Sequence, residues 1–420
     1  MGRRRRTRTA RGRWGVLPRV LVPVLLVGAL AVGEVAAAGA DCGPDLAARL
    51  ADRFPRAGLG AGAVGEVLDA ASGTVLWSSG PDSGRMPAST AKLATAVAAL
   101  TVLGPDRTER TSVRYRAADN TLSLVGGGDP GLDLAALQAL AADTAKTLSA
   151  RGLTRVTLRF DDSLFPAPVL SPGWQPGYYP QDLAPVRALA LVGERLPDTA
   201  LATARRFGEL LTVDGVQVGA PTRAVVRPDA VAVASRTSQP LWQTVEHMLK
   251  VSDNNTAEVL LRLTALARHG AADWQDGTDA VRSVLGGYGV PLDGVALYDG
   301  SGLSREDRLT PRALGAIAAL IVRPGLGRVL RPVFAGLPVA GRDGTLSPAD
   351  HRFSTWPSSC AAGRVRAKTG TLHDAAALAG VTRGPDGRWL AFAFLENGAV
   401  PLDAARQGLD GLAATVQGCW

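Results

Sequence analysis

Between about residues 105 and 235 the spacing of apolar residues switches from helical to alternating, and this interruption rules out one continuous core. The stretch holds short strand-like runs at 112–115, 121–125, 156–160 and 231–234, and one helical run over 133–150, separated by Gly and Pro. It reads as an α+β module, 105–235, inserted into a host made of 41–104 and 236–420. The first part of the host predicts a helix over 45–54, a hairpin of 63–68 and 74–78 around Ala71-Ser72-Gly73, and an Ala-rich helix running to Leu103. Ser89 falls at the start of that helix. The second part predicts helices from 241 to about 268, over 271–285 and over 310–322. Strands over 365–372, 375–382 and 389–395 follow, the last two joined by Gly384-Pro385-Asp386-Gly387, and a helix over 402–416 closes the chain.

A formal charge of +8 over 420 residues invites a nucleic-acid reading, so the location of the charge matters. Residues 1–40 contain eight arginines and a single acid, Glu34, which leaves 38 basic and 37 acidic residues in the rest. The body is close to neutral, and no nucleic-acid partner is expected. The front reads as an export signal: an Arg-rich start, an apolar stretch over 20–33 carrying Pro23, then small residues to Ala40. Fourteen residues is short against the roughly 20 of a membrane span, which favours cleavage over anchoring. Either outcome puts the body outside the cytoplasm, with membrane contact only through an uncleaved N-terminus.

The three cysteines, Cys42, Cys360 and Cys419, form no C-x-x-C pair and have too few histidines nearby for zinc, so neither a metal nor a cofactor is expected. One disulfide and one free thiol is the expected state in an oxidising compartment. Of 46 basic residues only Lys92, Lys146, Lys250 and Lys368 are lysines. A lysine kept against such a bias marks a place that needs a compact or titratable ammonium, because arginine is bulky and does not deprotonate.

Three of these lysines sit in or beside short motifs: Ser89-Thr90-Ala91-Lys92, Ser252-Asp253-Asn254 and Lys368-Thr369-Gly370-Thr371, in that order. A Ser and a Lys three apart on a helix share one face, so the amine can reach the hydroxyl from which a proton must be removed. The lysine acts as a base only when neutral, which desolvation and a second ammonium favour; Lys368 can supply that charge. The helix start at Ser89 adds backbone N–H groups where an oxyanion would form. Taken singly, the motifs are a capped helix, a turn and an edge hairpin. Jointly, with the lysine bias, they point to a serine nucleophile. His247, His269, His351 and His373 permit a Ser-His-Asp alternative, but no G-x-S-x-G elbow accompanies them.

Together the motifs resemble those of penicillin-binding proteins and serine β-lactamases. Ser89 and Ser252 are separated by a large insert, which is similar to the D-alanyl-D-alanine carboxypeptidase/endopeptidase family typified by penicillin-binding protein 4. Gly127-Gly128-Asp129-Pro130, Phe160-Asp161-Asp162-Ser163-Leu164-Phe165, Lys250 through Asn255 with Ala257-Glu258, Asp299 through Arg305, and Gly341 through Leu346 extend the resemblance over 43–418. It implies a penicillin-binding/β-lactamase-like transpeptidase core, an antiparallel five-stranded sheet flanked by helices, carrying the inserted α+β module. It implies an acyl-enzyme on Ser89, Lys92 as base, and Ser252, Asn254 and Lys368 as further catalytic residues. The N–H groups of Ser89 and Thr371 would form the oxyanion hole, and Thr369, Gly370 and Thr371 would bind the terminal carboxylate. The partners implied are a peptidoglycan stem peptide as substrate and β-lactam antibiotics as inhibitors. A penicillin-sensing receptor or a silent wall-binding module would keep the same fold; acylation without turnover separates them from a peptidase. Asp129 and Arg305 resemble positions lining the substrate pocket, where opposite charges would match the zwitterion of a diaminopimelate side chain. In this superfamily the first and last core helices pack side by side, which implies a Cys42–Cys419 disulfide, with Cys360–Cys419 as the alternative.

Overall fold

The computed structural model describes residues 43–398 and 400–420. The expected export signal and Cys42 lie outside these residues.

Helix α1 (Gly43–Arg53) leads into a hairpin of β1 (Val64–Asp69) and β2 (Val75–Ser79), and a 3-10 turn at Ala88–Ala91 feeds α2 (Lys92–Leu103). The middle of the chain supplies β3 (Arg110–Arg116), β4 (Thr121–Val125), α3 (Leu134–Ser149), β5 (Arg155–Asp161) and the single turn α4 (Tyr178–Gln181). It continues with α5 (Thr199–Val213), the two-residue strands β6 (Gln217–Val218) and β7 (Thr222–Arg223), and β8 (Val231–Thr237). Then come α6 (Leu241–Val251), α7 (Asn254–His269), α8 (Trp274–Gly287), α9 (Pro311–Leu320) and α10 (Gly327–Gly336). Finally β9 (Arg366–Leu372), β10 (Ala375–Arg383) and β11 (Trp389–Asn397) precede α11 (Leu402–Gln417).

Five of these strands form one sheet in the order β2-β1-β11-β10-β9, every pairing antiparallel. Alternation along its inner strands feeds two cores at once. Ala377, Ala379 and Val381 face a cluster built from α2 and α6 to α9, while Ala376, Leu378, Phe392 and Phe394 face one built from α1 and α11. That is why β10 and β11 read as near-continuous apolar runs rather than alternating ones. Helix α2 passes through the first cluster and is buried on every side from Lys92 to Leu100, which its run of alanines permits.

The second sheet runs β6-β5-β4-β3-β8, with β7 also on β5, and packs on α3 and α5 around its own apolar cluster. Its two connections to the first sheet run side by side: the amides of Ser238, Leu241 and Trp242 donate to the carbonyls of Glu109, Arg107 and Pro105 at 2.8, 2.8 and 2.9 Å.

The structure departs from the sequence expectations at several elements. The stretch holds a second long helix, α5, capped by Asp198, whose carboxylate accepts from Leu201 N, and buried along Phe207 and Leu211. The helical spacing over 241–268 is broken at Ser252, which adopts a left-handed φ of 62°, and Asp253 caps α7 by accepting from Thr256 N. Both halves keep helical periodicity, so spacing alone does not reveal the break. Helix α10 carries Pro332 and two glycines and has no clear signature in the sequence.

The disulfide joins Cys360 to Cys419 rather than Cys42 to Cys419. Helices α1 and α11 do pack together, as Leu46 and Leu50 share a cluster with Leu409 and Leu412. The end of α11, however, lies against the 3-10 turn Ser358–Ala361, which brings Cys360 to within 5.9 Å of Cys419 between Cα atoms. With a sequence separation of 59 between the two cysteines, loop entropy assigns this bond about 4 kcal/mol. Non-reducing peptide mapping should therefore recover a Cys360–Cys419 cross-link, and reduction should lower the unfolding midpoint by several degrees. A peptide joining Cys42 to either cysteine would contradict it.

Candidate active site

The three motifs converge where the start of α2, the α6–α7 break and the edge strand β9 meet. The turn ahead of α2 holds Ala88 at φ 47°, a conformation uncommon for a non-glycine residue and fully buried here. Ser89 follows it. Strand β9 lies close against this turn because position 370 is glycine: a Cβ there would stand 2.4 Å from the carbonyl oxygen of Pro87. Gly302 does the same from the other side, with φ 82° and only 1.9 Å between a built Cβ and the carbonyl of Ala88.

The Lys92 Nζ lies 2.8 Å from Ser89 Oγ and donates to Asn254 Oδ1 at 2.7 Å and to the Ser301 carbonyl at 2.8 Å. An amine that gives its two N–H bonds to those acceptors turns its lone pair on the Ser89 hydroxyl. Lys92 has no solvent exposure, and burial pulls its pKa down to about 8, against the opposing pull of Asp299, Glu258 and Asp253. Lys368 is equally buried and donates to Ser252 Oγ at 2.9 Å and to the Thr369 carbonyl at 2.8 Å. Burial, then Lys92, then Arg352 hold its pKa well below the usual lysine range. Pairing with Ala379 points Lys368 to the face of the sheet that packs on α2.

Residues that the motif reading did not assign hold this arrangement. The loop carrying Ser301 is fixed from below by Glu258, fully buried on α7, whose carboxylate accepts the N–H groups of Gly300 and Ser301 at 2.7–3.1 Å. Asp299 accepts from Gly302 N, Ser304 N and Trp174 Nε1 at 2.7, 2.7 and 2.6 Å. Both acids lie in segments visible in the sequence, but the acceptor they position is a backbone carbonyl, which no sequence pattern marks. The segment Gly341 to Leu346 ties two motifs together. Lys250 donates to Asp343 Oδ1 at 2.9 Å beside Ser252, and Thr345 Oγ1 lies 2.7 Å from Thr369 Oγ1.

Ser89, Ser252, Thr369 and Thr371 line one cavity of about 440 Å³, and Asp129, Ser252 and Asn254 line a second of about 360 Å³. Burial raises the Asp129 pKa to about 6. Arg305 is not in that second cavity. Its guanidinium pairs with Asp374, at the β9–β10 turn, and among the described residues no ion pair joins it to Asp129. All four histidines are exposed, and the side chain hydrogen-bonded to Ser89 Oγ is Lys92.

The profile of the D-Ala-D-Ala carboxypeptidase 3 (S13) family matches residues 45–201 and 190–416. The chain belongs to this family. It is 33% identical to a carboxypeptidase of Mycobacterium tuberculosis over 417 residues, covering 94% of this chain and 88% of that one. It is 34% identical to the carboxypeptidase DacB of Mycolicibacterium smegmatis over 395 residues, covering 89% and 83%. Among solved structures, penicillin-binding protein 4 of Haemophilus influenzae superposes with a TM-score of 0.76 at 21% identity, over 88% of this chain and 99% of that one. The fold of this S13 member is thus the penicillin-binding/β-lactamase-like one expected from the motifs.

Proposed function

We propose that this S13 chain is a serine-type D-Ala-D-Ala carboxypeptidase, and a D,D-endopeptidase, which acts on peptidoglycan stem peptides through an acyl-enzyme on Ser89 and is inhibited by β-lactams. The observation that carries this is the buried, hydrogen-bonded Lys92 amine facing Ser89 Oγ. Strand β9 is the edge of its sheet, bridged on its outer side by Val339 at Arg366, so an extended peptide can add to it past that bridge as a further strand beside Ser89. Thr369 and Thr371 receive the terminal carboxylate, with Gly370 letting the strand lie close. Arrival of that carboxylate favours the charge on Lys368 and so the neutral form of Lys92, only one turn of chain away from the nucleophile. Lys92 takes the Ser89 proton as Oγ attacks, and the N–H groups of Ser89 and Thr371 hold the oxyanion. Ser252, held by Lys368, returns the proton to the leaving amine, and Asn254 holds the substrate amide. Water then hydrolyses the ester.

The Haemophilus influenzae protein has also been solved in complex with a β-lactam, which supports the inhibitor class. The separate apolar cluster of the second sheet and the paired connections at 105–109 and 238–242 support a core of 41–104 and 236–420 with 105–235 inserted. An extracytoplasmic location follows from a peptidoglycan substrate and fits the disulfide. Among the described residues no helix is long and apolar enough to cross a membrane. The test is release of D-alanine from an acylated D-Ala-D-Ala peptide by the purified protein, blocked by penicillin. Acylation without release would make the chain a penicillin receptor instead.

Asp129 and Arg305 complete the reading as recognition of a diaminopimelate side chain. Arg305 can serve only by sharing its guanidinium between Asp374 and the substrate carboxylate. Arg305→Ala should raise KM for a diaminopimelate-ended peptide about tenfold, the scale of one charged hydrogen bond, and leave a small acylated D-Ala-D-Ala substrate nearly unchanged. Equal losses on both substrates would show that Arg305 only supports the site through Asp374.

A further inference from the structure

The cavity that holds Ser89 does not end at the carboxylate-binding threonines. It runs on past Thr345 to Asp350, His351, Arg352 and Arg406 on α11, and its volume of about 440 Å³ is far more than a free alanine fills. Cavities of roughly 300 to 1,000 Å³ hold ligands of peptide-fragment size. The second cavity leaves Ser252 in the other direction, along Asn254 towards Asp129. Ser252 therefore stands at a junction, with one arm for the acyl side of the scissile bond and one for whatever is attached to the leaving amine.

The charges along the arm from Thr345 to Arg406 are unevenly engaged. Arg352 is buried and held by two hydrogen bonds to Asp410, so its charge is already met. Asp350 accepts from Ser347 Oγ at 2.6 Å in its own turn, and the exposed His351 is held there at φ 56°. Among the described residues the one hydrogen bond of Arg406 goes to Asp403, an exposed residue one turn earlier on the same helix, at 3.4 Å, while Asp410, already held by Arg352, adds only a longer-range attraction. A pair of that kind contributes little and is easily exchanged. The guanidinium is thus a planar, carboxylate-matching donor at the end of an arm that starts at the nucleophile.

We propose that this arm is a leaving-group subsite in which Arg406, with His351 beside it, receives a carboxylate of the second stem when the substrate is a cross-link between two stem peptides. The inference rests on the peptidase reading above. The chemistry is unchanged: the Ser89 Oγ–C bond forms, the C–N bond to the second stem breaks, its amine leaves with the proton taken from Ser89, and water cleaves the ester.

The experiment compares three substrates with the purified protein: an acylated peptide ending in D-Ala-D-Ala, a cross-linked dimer of stem peptides, and that dimer with the carboxylates of its acceptor stem amidated. Arg406→Ala should lower kcat/KM for the unmodified dimer about tenfold, while the other two substrates change less than about twofold. Arg406→Glu should lower it further, and Arg406→Lys should retain most of the activity. Equal sensitivity of the amidated dimer, or a dimer rate that ignores the substitutions, overturns the proposal. So does a wild-type protein that releases D-alanine but leaves the dimer intact, a result that spares the carboxypeptidase reading. A wild-type protein that cleaves neither substrate removes that reading as well.

Discussion

Replacing Ser89 by alanine is expected to abolish both the covalent penicillin adduct and peptide turnover. The wild-type protein should gain the mass of one penicillin, because the β-lactam carbonyl acylates Oγ and its opened ring stays attached where a leaving amine would depart. Removal of a serine nucleophile from a hydrolase lowers kcat by up to about 10⁶, leaving only what binding and the oxyanion donors supply. Ser89 is half-exposed at the floor of a cavity, so losing one oxygen there perturbs no packed core and the unfolding midpoint should hold. Intact-mass measurement followed by peptide mapping decides the matter. An adduct that persists in the variant, or maps to another residue, refutes the assignment.

Lys92→Arg should lower kcat/KM by about 10² to 10⁴ although a positive charge remains. Arginine does not deprotonate at accessible pH, and its fork does not fit a position with no solvent exposure and three hydrogen-bond partners within 2.8 Å. Lys92→Met, similar in length and without charge, separates the two causes: it should fold and still lack the base. The wild-type pH profile carries the same information. The base works when neutral, and its pKa is lowered to about 8, so kcat/KM should rise about tenfold per pH unit below that value and level off above it. That limb should vanish in Lys92→Met. A methionine variant within a few fold of wild type, or a rate that falls as pH rises from 6 to 8, would remove Lys92 from the mechanism.

Much of the candidate site was legible because its motifs are made of side chains at short, regular spacing. Ser89 and Lys92 sit one helical turn apart, and the scarcity of lysine singles out Lys92, Lys250 and Lys368. All three turn out to make hydrogen bonds within or beside the site. The strand pattern of β9 to β11 was equally plain, since inner strands buried on both faces leave long apolar runs. Less legible were features whose signal is shared with ordinary structure. Ser252 breaks a helix that keeps its periodicity on both sides, and α5 sits in a stretch whose other elements are mostly strands.

The sequence by itself determined which residues make up the three motifs, their order along the chain, and the change of apolar period between the first motif and the second, because these depend on residue type and local spacing. The tertiary structure alone decided what those residues touch. The third hydrogen-bond partner of Lys92 is a backbone carbonyl 209 residues away, positioned by Glu258. Arg305 meets Asp374 instead of Asp129, and Cys419 meets Cys360. Each such choice rests on packing between elements far apart in sequence. A charge or a thiol pairs with whatever the folded chain brings within bonding distance, and that distance is set by the helices and strands between them.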